Sequence, residues 1–193
     1  MDPFGRDAAP TIVDVDDWTD WALAAAAGDG RALRVLVEQC QPHVWRLCAH
    51  LGDTAAADDL TQETFLRAIR SLASYRGEAP FRVWLFAIAR RVVADDIAAR
   101  RRRRNLDQVL ADRVRADHDA DHADVSVLHA LLLGLDDDRR EAFVLTQVLG
   151  FSYADAAAIG DCPIGTIRSR VARAREDLAS ALDPAVDGDE RTA

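Results

Sequence analysis

The sequence predicts an all-α fold made of two small helical domains, the second a helix-turn-helix, joined by a flexible acidic linker. Apolar residues recur at helical spacing through most of the chain, and no stretch alternates apolar and polar residues as a strand would. A length of 193 residues suits one ordinary domain or two small ones. We therefore divide the chain into a disordered acidic arm, a first domain, a linker, a second domain and a disordered tail: residues 1–17, 18–104, 105–124, 125–183 and 184–193.

Composition excludes several classes of protein. No run of about 18 or more apolar residues occurs, which excludes a membrane-spanning helix. The N-terminus is acidic and has no apolar segment, so it is not a signal peptide. Cys40, Cys48 and Cys162 are odd in number and form no CxxC pair, which favours buried reduced thiols over a disulfide framework or a structural zinc site. These features predict a soluble protein of the reducing cytoplasm.

Glycine delimits the first two helices of the first domain. The segments "WTDWALAAAAG" and "RALRVLVEQCQPHVWRLCAHLG" both show helical apolar spacing, with Gly28 and Gly52 as natural stops. Pro42 falls inside the second segment, where proline removes a backbone hydrogen-bond donor. We therefore expect a kink or an early break at Pro42.

The third helix, for which Asp53 is a plausible N-cap, has two contrasting faces. One face is apolar and should be buried; it consists of Ala57, Leu60, Thr64, Ala68 and Leu72. The other face is polar apart from one leucine; it consists of Asp59, Gln62, Glu63, Leu66 and Arg70. An exposed leucine alone is unremarkable, so simple solvent exposure remains an alternative to a partner-binding face.

A loop and a long basic helix complete the first domain. The loop "ASYRGEAP" contains Gly77 and Pro80 as breakers, and a helix follows it as far as Arg104. Phe81 and Trp84 lie on or near the apolar stripe of this helix, so we assign both to the core. Beyond it, the linker starts with a short helical tail and then loses all periodicity.

Charge is strongly segregated along a chain whose formal net charge is -9. Residues 67–104 contain 11 Arg against three acids, whereas residues 1–30 contain seven Asp against one Arg and residues 105–126 six Asp against two Arg. A basic segment followed by a second basic helix near the C-terminus suggests two modules that contact a polyanion. The alternative is that these arginines only form solvated helix faces.

The segment "FSYADAAAIGDCPIGTIRSRVARAREDL" predicts a helix-turn-helix. Gly150 ends the preceding helix, and Ser152 starts a short helix in a pattern that resembles a capping box. Gly160, Asp161 and Cys162 form the turn, and Pro163 occupies a first helical position. The second helix should bury one apolar stripe: Ile164, Ile167, Val171, Ala174, Leu178 and Leu182.

The opposite face of that second helix suits the major groove of DNA. Small hydroxyl side chains allow close approach, and arginine can bind guanine in bidentate fashion or pair with phosphate. The residues concerned are Thr166, Arg168, Ser169, Arg170 and Arg173. A generic pair of helices with a charged outer face is the alternative.

Together, "ADDLTQETFLRAIRSL", "FRVWLFAIARRVVADDIAARRRR" and the helix-turn-helix segment resemble the extracytoplasmic-function (ECF) RNA polymerase sigma factors of bacteria. The resemblance covers roughly residues 18–182 and implies that the chain is an alternative sigma factor, not an enzyme, and needs no cofactor. It also implies RNA polymerase core and promoter DNA as partners, through the β′ clamp helices, the β flap and the −10 and −35 elements. An anti-sigma factor would be a further partner.

The resemblance assigns residues to each contact. Those matched to the polymerase clamp are Asp59, Gln62, Glu63, Leu66 and Arg70. Those matched to the −10 element are Arg76, Arg82, Arg90, Arg91, Arg100, Arg101, Arg102 and Arg103. Those matched to the −35 element are Thr166, Arg168, Ser169, Arg170 and Arg173. We further hypothesise that the acidic arm and linker oppose DNA binding in the absence of polymerase.

Two rival interpretations remain. A one-component regulator would use the helix-turn-helix alone and would bind duplex DNA without polymerase, but it would not need the second basic helix. A metal-dependent switch or enzyme would use His118, Asp121 and His122 in "DHDADH", a stretch with little apolar support. No catalytic triad or phosphate-binding loop is visible, so we expect no catalysis and no metal.

Overall fold

In a computed structural model of the protein, residues 16–111 and 127–182 are described, and they form helices connected by short turns, with no strand among them. The all-α prediction is therefore confirmed. Two of the elements are short helical turns, a 3₁₀ turn before α3 and a π turn after α6. In chain order the elements are α1 Asp16–Ala26, α2 Gly30–Leu51, the 3₁₀ turn Thr54–Ala56, α3 Ala57–Leu72, α4 Phe81–Ala111, α5 Val127–Leu133, α6 Asp137–Phe143, the π turn Val144–Val148, α7 Tyr153–Gly160 and α8 Ile164–Leu182.

Helix α2 begins at a capped N-terminus and continues through its proline. The Asp29 carboxylate accepts hydrogen bonds from the backbone N–H groups of Arg31 and Ala32, at 2.8 and 3.1 Å. Of the two outcomes expected at Pro42, the early break is wrong, because the helix is continuous to Leu51, and the kink stays a prediction. Buried residues lie on both sides of the proline, and their packing outweighs the cost of one lost hydrogen bond.

Helix α3 buries the face that its spacing predicts. Asp53 caps the 3₁₀ turn that leads into α3, where its carboxylate accepts from the backbone N–H of Ala55 at 3.0 Å, and α3 itself has no side-chain cap. Thr64 is fully buried, and its hydroxyl donates to the Leu60 carbonyl at 2.8 Å, so no polar group is left unsatisfied there. The buried residues of the predicted face are Ala57, Leu60, Thr64, Ala68 and Leu72.

The loop between α3 and α4 is held by specific hydrogen bonds. The Tyr75 hydroxyl donates to the Ala79 carbonyl at 2.7 Å, and the hydroxyl oxygen of Thr19 accepts from the backbone N–H of Phe81 at 3.1 Å. Gly77 has φ 74°, a conformation that favours glycine. Phe81 is buried and Trp84 half-buried against Tyr75, which confirms their assignment to the core.

The helix-turn-helix forms as predicted, but two apolar residues at the ends of α8 are more exposed than expected. The Ser152 hydroxyl oxygen accepts from the backbone N–H of Asp155 at 3.0 Å, and Asp161 takes the left-handed turn conformation with φ 50°. Pro163 directly precedes α8 instead of occupying its first position. The burial prediction is wrong for Ile164 and Leu182, which are 40% and 66% exposed. Both lie at the ends of the stripe, where none of the described helices covers them.

The two helical modules, α1–α4 and α5–α8, pack against each other through one continuous core. The ring of Phe86 in α4 contacts that of Phe151, which precedes α7, edge to face at 4.8 Å between centroids. A second pair of rings that joins the modules is formed by His50 and His129, whose imidazole centroids lie 6.0 Å apart. The two candidate DNA-binding surfaces, on α4 and α8, therefore belong to one packed unit. Contacts within this unit determine which of their arginines are exposed.

Candidate polymerase and nucleic-acid surfaces

Arg82 lies in the contact between the modules. Its guanidinium carbon is 3.8 Å from the centroid of the Phe151 ring, and one of its N–H groups donates to the Leu149 carbonyl at 3.3 Å. Burial lowers the pKa of this arginine. In this arrangement Arg82 is held by the protein and is not free to contact DNA.

Two further arginines of α4 pair with acids of α6. Arg90 Nε donates to Glu141 Oε1 at 2.6 Å, and Arg101 forms an ion pair with Asp137. Glu141 is largely buried, and burial raises the pKa of its carboxyl group despite the adjacent guanidinium. Arg90 thus compensates the charge of the Glu141 carboxylate, with a smaller contribution from Arg170.

The remaining arginines matched to the −10 element divide into one paired and four exposed residues. Arg100 binds Asp53 at 2.8 Å and also pairs with Asp96, and these bonds raise the pKa of its guanidinium group. The other four are exposed and have no hydrogen bond or ion pair with the described residues: Arg76, Arg91, Arg102 and Arg103.

The five residues of α8 that were matched to the −35 element differ in their exposure to solvent. Arg168, Ser169 and Arg173 are exposed, and the Ser169 hydroxyl donates to the Thr166 carbonyl at 2.9 Å. Thr166 is half-buried. Arg170 is also half-buried, and pairs with an acid of α6, Asp138. Arg170 therefore fastens α8 to α6, whereas its neighbours face outward.

Helix α6 carries an acidic cluster, Asp137, Asp138 and Glu141, that binds arginines of both candidate DNA surfaces. Its partners are Arg90 and Arg101 on α4 and Arg170 on α8. The sequence analysis did not identify this cluster and placed the acids that oppose DNA binding in the arm and the linker. Of those two segments, the structure describes only residues 16–17 and 105–111, which are helical. The run "DDDRRE" was the available signal, but only the tertiary packing shows which arginines it meets.

The polar face of α3 is open to solvent. Asp59, Gln62, Leu66 and Arg70 are exposed, and Leu66 is 42% exposed although it is a large apolar side chain. Glu63 is half-buried and accepts a hydrogen bond from Arg67 Nε at 2.8 Å. The face is thus apolar at its centre and charged at both ends.

The three cysteines are free thiols that form no disulfide. Cys40 and Cys48 are buried, as the sequence predicts, and burial raises the pKa of Cys48 to about 11. The prediction of a buried thiol is wrong for Cys162, which is half-buried in the turn before α8. Thiols as buried as Cys40 and Cys48 stay protonated and act as small apolar side chains.

The described residues were also compared with the expectations about membrane spans and metal sites. Within residues 16–111 and 127–182, no helix combines the length and the apolarity needed to cross a membrane. The same part of the chain holds no group of three or more His, Cys, Asp or Glu residues placed to bind a metal. The metal hypothesis rested on His118, Asp121 and His122, which lie outside it.

Comparison with known proteins identifies both modules. Residues 36–104 match the family model of sigma-70 region 2, and residues 126–178 match that of sigma-70 region 4. The chain is 47% identical over 178 residues to the ECF RNA polymerase sigma factor SigC of Mycobacterium tuberculosis, covering 90% of this chain and 96% of that protein.

Two solved structures show the same architecture. CnrH, solved in complex with the cytosolic domain of CnrY, superposes with a TM-score of 0.68 at 28% identity, covering 89% of this chain and 99% of CnrH. The sigma factor RpoE of Bartonella quintana, solved in complex with the anti-sigma factor NepR, superposes with a TM-score of 0.62 at 32% identity, covering 80% and 98% of the two chains.

Proposed function

Because the chain belongs to the sigma-70 family, as an ECF RNA polymerase sigma factor, we propose that its three exposed surfaces divide the work of promoter recognition. An alternative sigma factor binds RNA polymerase core and directs it to start transcription at particular promoters. The observation that carries the proposal is that separate exposed arginine faces lie on the two segments matching regions 2 and 4.

The α4 arginines would hold the −10 element. Arg76, Arg91, Arg102 and Arg103 are already exposed, and positive charge of this kind follows a single strand through its phosphates. Arg82, Arg90, Arg100 and Arg101 would join them after exchanging protein partners for DNA. With Phe81 and Trp84 committed to the core, few aromatic side chains are available to separate bases, so melting should depend on polymerase and on the promoter.

The α8 face would recognise the −35 element as duplex DNA. Arg168, Ser169 and Arg173 point outward near the N-terminal half of the helix, the part that reads bases in helix-turn-helix proteins. Thr166 supports Ser169 through its carbonyl group. Arg170 contributes by holding α8 against α6 in this form.

The α3 face would bind the polymerase clamp. Asp59, Gln62, Glu63, Leu66 and Arg70 combine one exposed apolar side chain with charges of both signs, which suits a helical partner. We propose the domain limits 18–104 and 125–183 for the two modules and a cytoplasmic location, where polymerase resides. The family comprises initiation factors, so the polymerase active site, not this chain, performs the chemistry.

Regulation by an anti-sigma factor is part of the proposal. Both structural relatives were solved with a second protein bound, the cytosolic domain of CnrY in one case and the anti-sigma factor NepR in the other. A partner of this class would act on the same two modules, whose packing already determines which arginines are exposed.

Run-off transcription on a genomic promoter library, with core polymerase and with or without the protein, tests the function. New transcripts should appear only with the protein, and Leu66→Arg or Glu63→Arg should remove both these transcripts and capture of core in a pull-down. Tight duplex binding without polymerase, unaffected by Glu63→Arg, would instead support the one-component regulator.

Removing the acidic cluster of α6 should strengthen DNA binding by the free protein. In the variant Asp137→Asn, Asp138→Asn, Glu141→Gln, the three arginines lose their acidic partners. We expect promoter duplex affinity to rise about five- to 30-fold, equivalent to about 1–2 kcal/mol for exposed and half-exposed pairs. The salt dependence should steepen by about 0.9 in log–log slope for each arginine that reaches a phosphate.

A matched control removes the same charge elsewhere. Asp20→Asn, Asp29→Asn, Glu38→Gln changes three acids of α1, α2 and the cap between them, none of which pairs with an arginine of either DNA surface among the described residues. Asparagine also preserves the α2 cap. Equal gains in the two variants would mean that net charge, and not the α6 pairs, limits DNA binding.

A further inference from the structure

A cavity of about 270 Å³ lies between the two modules, lined by residues of α2, α4 and α6. Its charged lining comes from α4 and α6. Its apolar lining comes from α2 and α4 and consists of Leu51, Val93, Ala94, Ile97 and Ala98. An apolar cavity of about 150 Å³ is large enough to bind benzene. This cavity therefore has room for an aromatic ring with a short side chain.

Arg140, on α6, brings an unsatisfied hydrogen-bond donor to the lining. The residue is only 8% exposed, and its Nε–H has no hydrogen-bond partner among the described residues. Its Nη2 group is already used, because it donates to Asp137 Oδ1 at 2.7 Å. A buried donor without an acceptor is unfavourable and rare in proteins. A bound molecule with an acceptor oxygen would satisfy it.

The charges around the cavity leave one positive charge in surplus. The Asp137 carboxylate is shared by two guanidinium groups, that of Arg140 through Oδ1 and that of Arg101 through Oδ2. The other two acids of the lining each have an arginine of their own: Glu141 pairs with Arg90, and Asp138 pairs with Arg170. A ligand with a single negative charge would balance this arrangement.

We propose that the cavity is a binding site for a small aromatic carboxylate. The carboxylate accepts the Arg140 Nε–H and neutralises the surplus charge, while the ring packs against Val93 and Ile97. A phosphate monoester fits less well, because it carries nearly two negative charges. An inorganic anion would leave the apolar lining without a contact.

A molecule in this cavity touches both modules, so it binds only while they are packed together. Binding to one form of a protein stabilises that form by mass action. The carboxylate would thereby keep Arg90 and Arg101 on their acidic partners in α6. This consequence rests on the proposed function, which assigns both arginines to the −10 element, whereas the binding site itself does not.

Titration of the full-length protein with indole-3-acetate, followed by ligand-observed NMR, tests the site. Indole-3-ethanol is the matched compound, because it keeps the ring and replaces the carboxylate by a hydroxyl group. We expect a Kd of about 1 mM or lower for the acid, the usual range for a ligand of this size. The alcohol should bind at least about tenfold more weakly, because it lacks the charge-assisted hydrogen bond. Equal affinities, or no binding of either compound, would show that the cavity holds only water.

Substitutions in the wall locate the binding. Ala98→Phe places a ring in the cavity and should abolish binding of the acid. Ala99→Phe is the matched control, because Ala99 is the next residue of α4 and is also half-buried, but it does not line the cavity; it should bind within twofold of wild type. Unchanged binding by Ala98→Phe would place the ligand elsewhere and overturn the inference.

Arg140→Met tests the polar recognition. It keeps an unbranched side chain but removes both the Nε–H and the surplus charge, so the acid and the alcohol should bind with affinities within about twofold of each other. A preference for the acid as strong as in wild type would be the contrary result. If circular dichroism shows that this variant does not fold, the comparison of Ala98→Phe with Ala99→Phe decides.

Promoter binding by the free protein measures the consequence. At matched ionic strength, indole-3-acetate at ten times its Kd should lower duplex affinity about tenfold in wild type and less than twofold in Ala98→Phe. If the acid binds selectively but leaves DNA affinity unchanged, the ligand does not withhold the arginines and that part of the inference is wrong. Run-off transcription without ligand tests the proposed function separately, so its failure would not remove the binding site, and failure of the acid to bind would not remove the function.

Discussion

Replacing Phe86 by alanine is expected to lower the free energy of unfolding by about 3–5 kcal/mol, the usual cost of removing a buried aromatic ring. Phe86 is 2% exposed, and its ring contacts that of Phe151 across the two modules. The deletion should therefore weaken both modules and not α1–α4 alone. Chemical denaturation followed by circular dichroism measures the change, and Ile69→Ala, at a site 45% exposed, should stay within about 0.5 kcal/mol of wild type.

A double-mutant cycle with Phe151→Ala isolates the contact between the modules. Edge-to-face aromatic pairs usually contribute about 0.5–1.5 kcal/mol beyond simple burial, so the two substitutions should show a coupling of that size. Strictly additive effects would show that the rings do not meet in solution. In that case the pairing of the α4 arginines with α6 would also lose its support.

Helical spacing was sufficient to predict α1 to α4 and the two helices of the helix-turn-helix, because it depends on residues that are near one another in sequence. It failed where tertiary packing decides. Pro42 does not end α2, because the buried residues around it compensate the lost hydrogen bond. Ile164 and Leu182 extend an apolar stripe past the helices that could cover it. The contact of Phe86 with Phe151 joins distant parts of the chain and has no local signature.

The same contrast between local sequence pattern and tertiary packing applies to the candidate sites. Residue type and helical face indicated which arginines could contact DNA. They did not indicate which of those arginines already pair with acidic residues of the same protein. Arg168 and Arg170 are two positions apart on α8, yet the first is exposed and the second pairs with Asp138. A difference of about 200° around the helix separates them, and only the position of α6 decides which one is paired.

Replacing Arg173 by alanine is expected to reduce transcription from promoters that depend on the −35 element by about five- to 150-fold. Arg173 is exposed on the outer face of α8 and has no partner among the described residues, so its guanidinium group is free to bind a guanine edge. One bidentate contact of this kind discriminates between bases by about 1–3 kcal/mol, which corresponds to that range. Run-off transcription with saturating core polymerase measures the effect.

Arg175→Ala is the matched control, because it removes one arginine from the same helix at a position already bonded to Gln147 at 2.7 Å. Selection of bound sequences from a randomised −35 element should show relaxed preference at one base pair for Arg173→Ala and an unchanged profile for Arg175→Ala. If Arg173→Ala instead weakens binding equally on all sequences, with a shallower salt dependence, the residue contacts phosphate. Base recognition would then fall to Arg168 and Ser169, the other two of the five residues matched to the −35 element that are exposed.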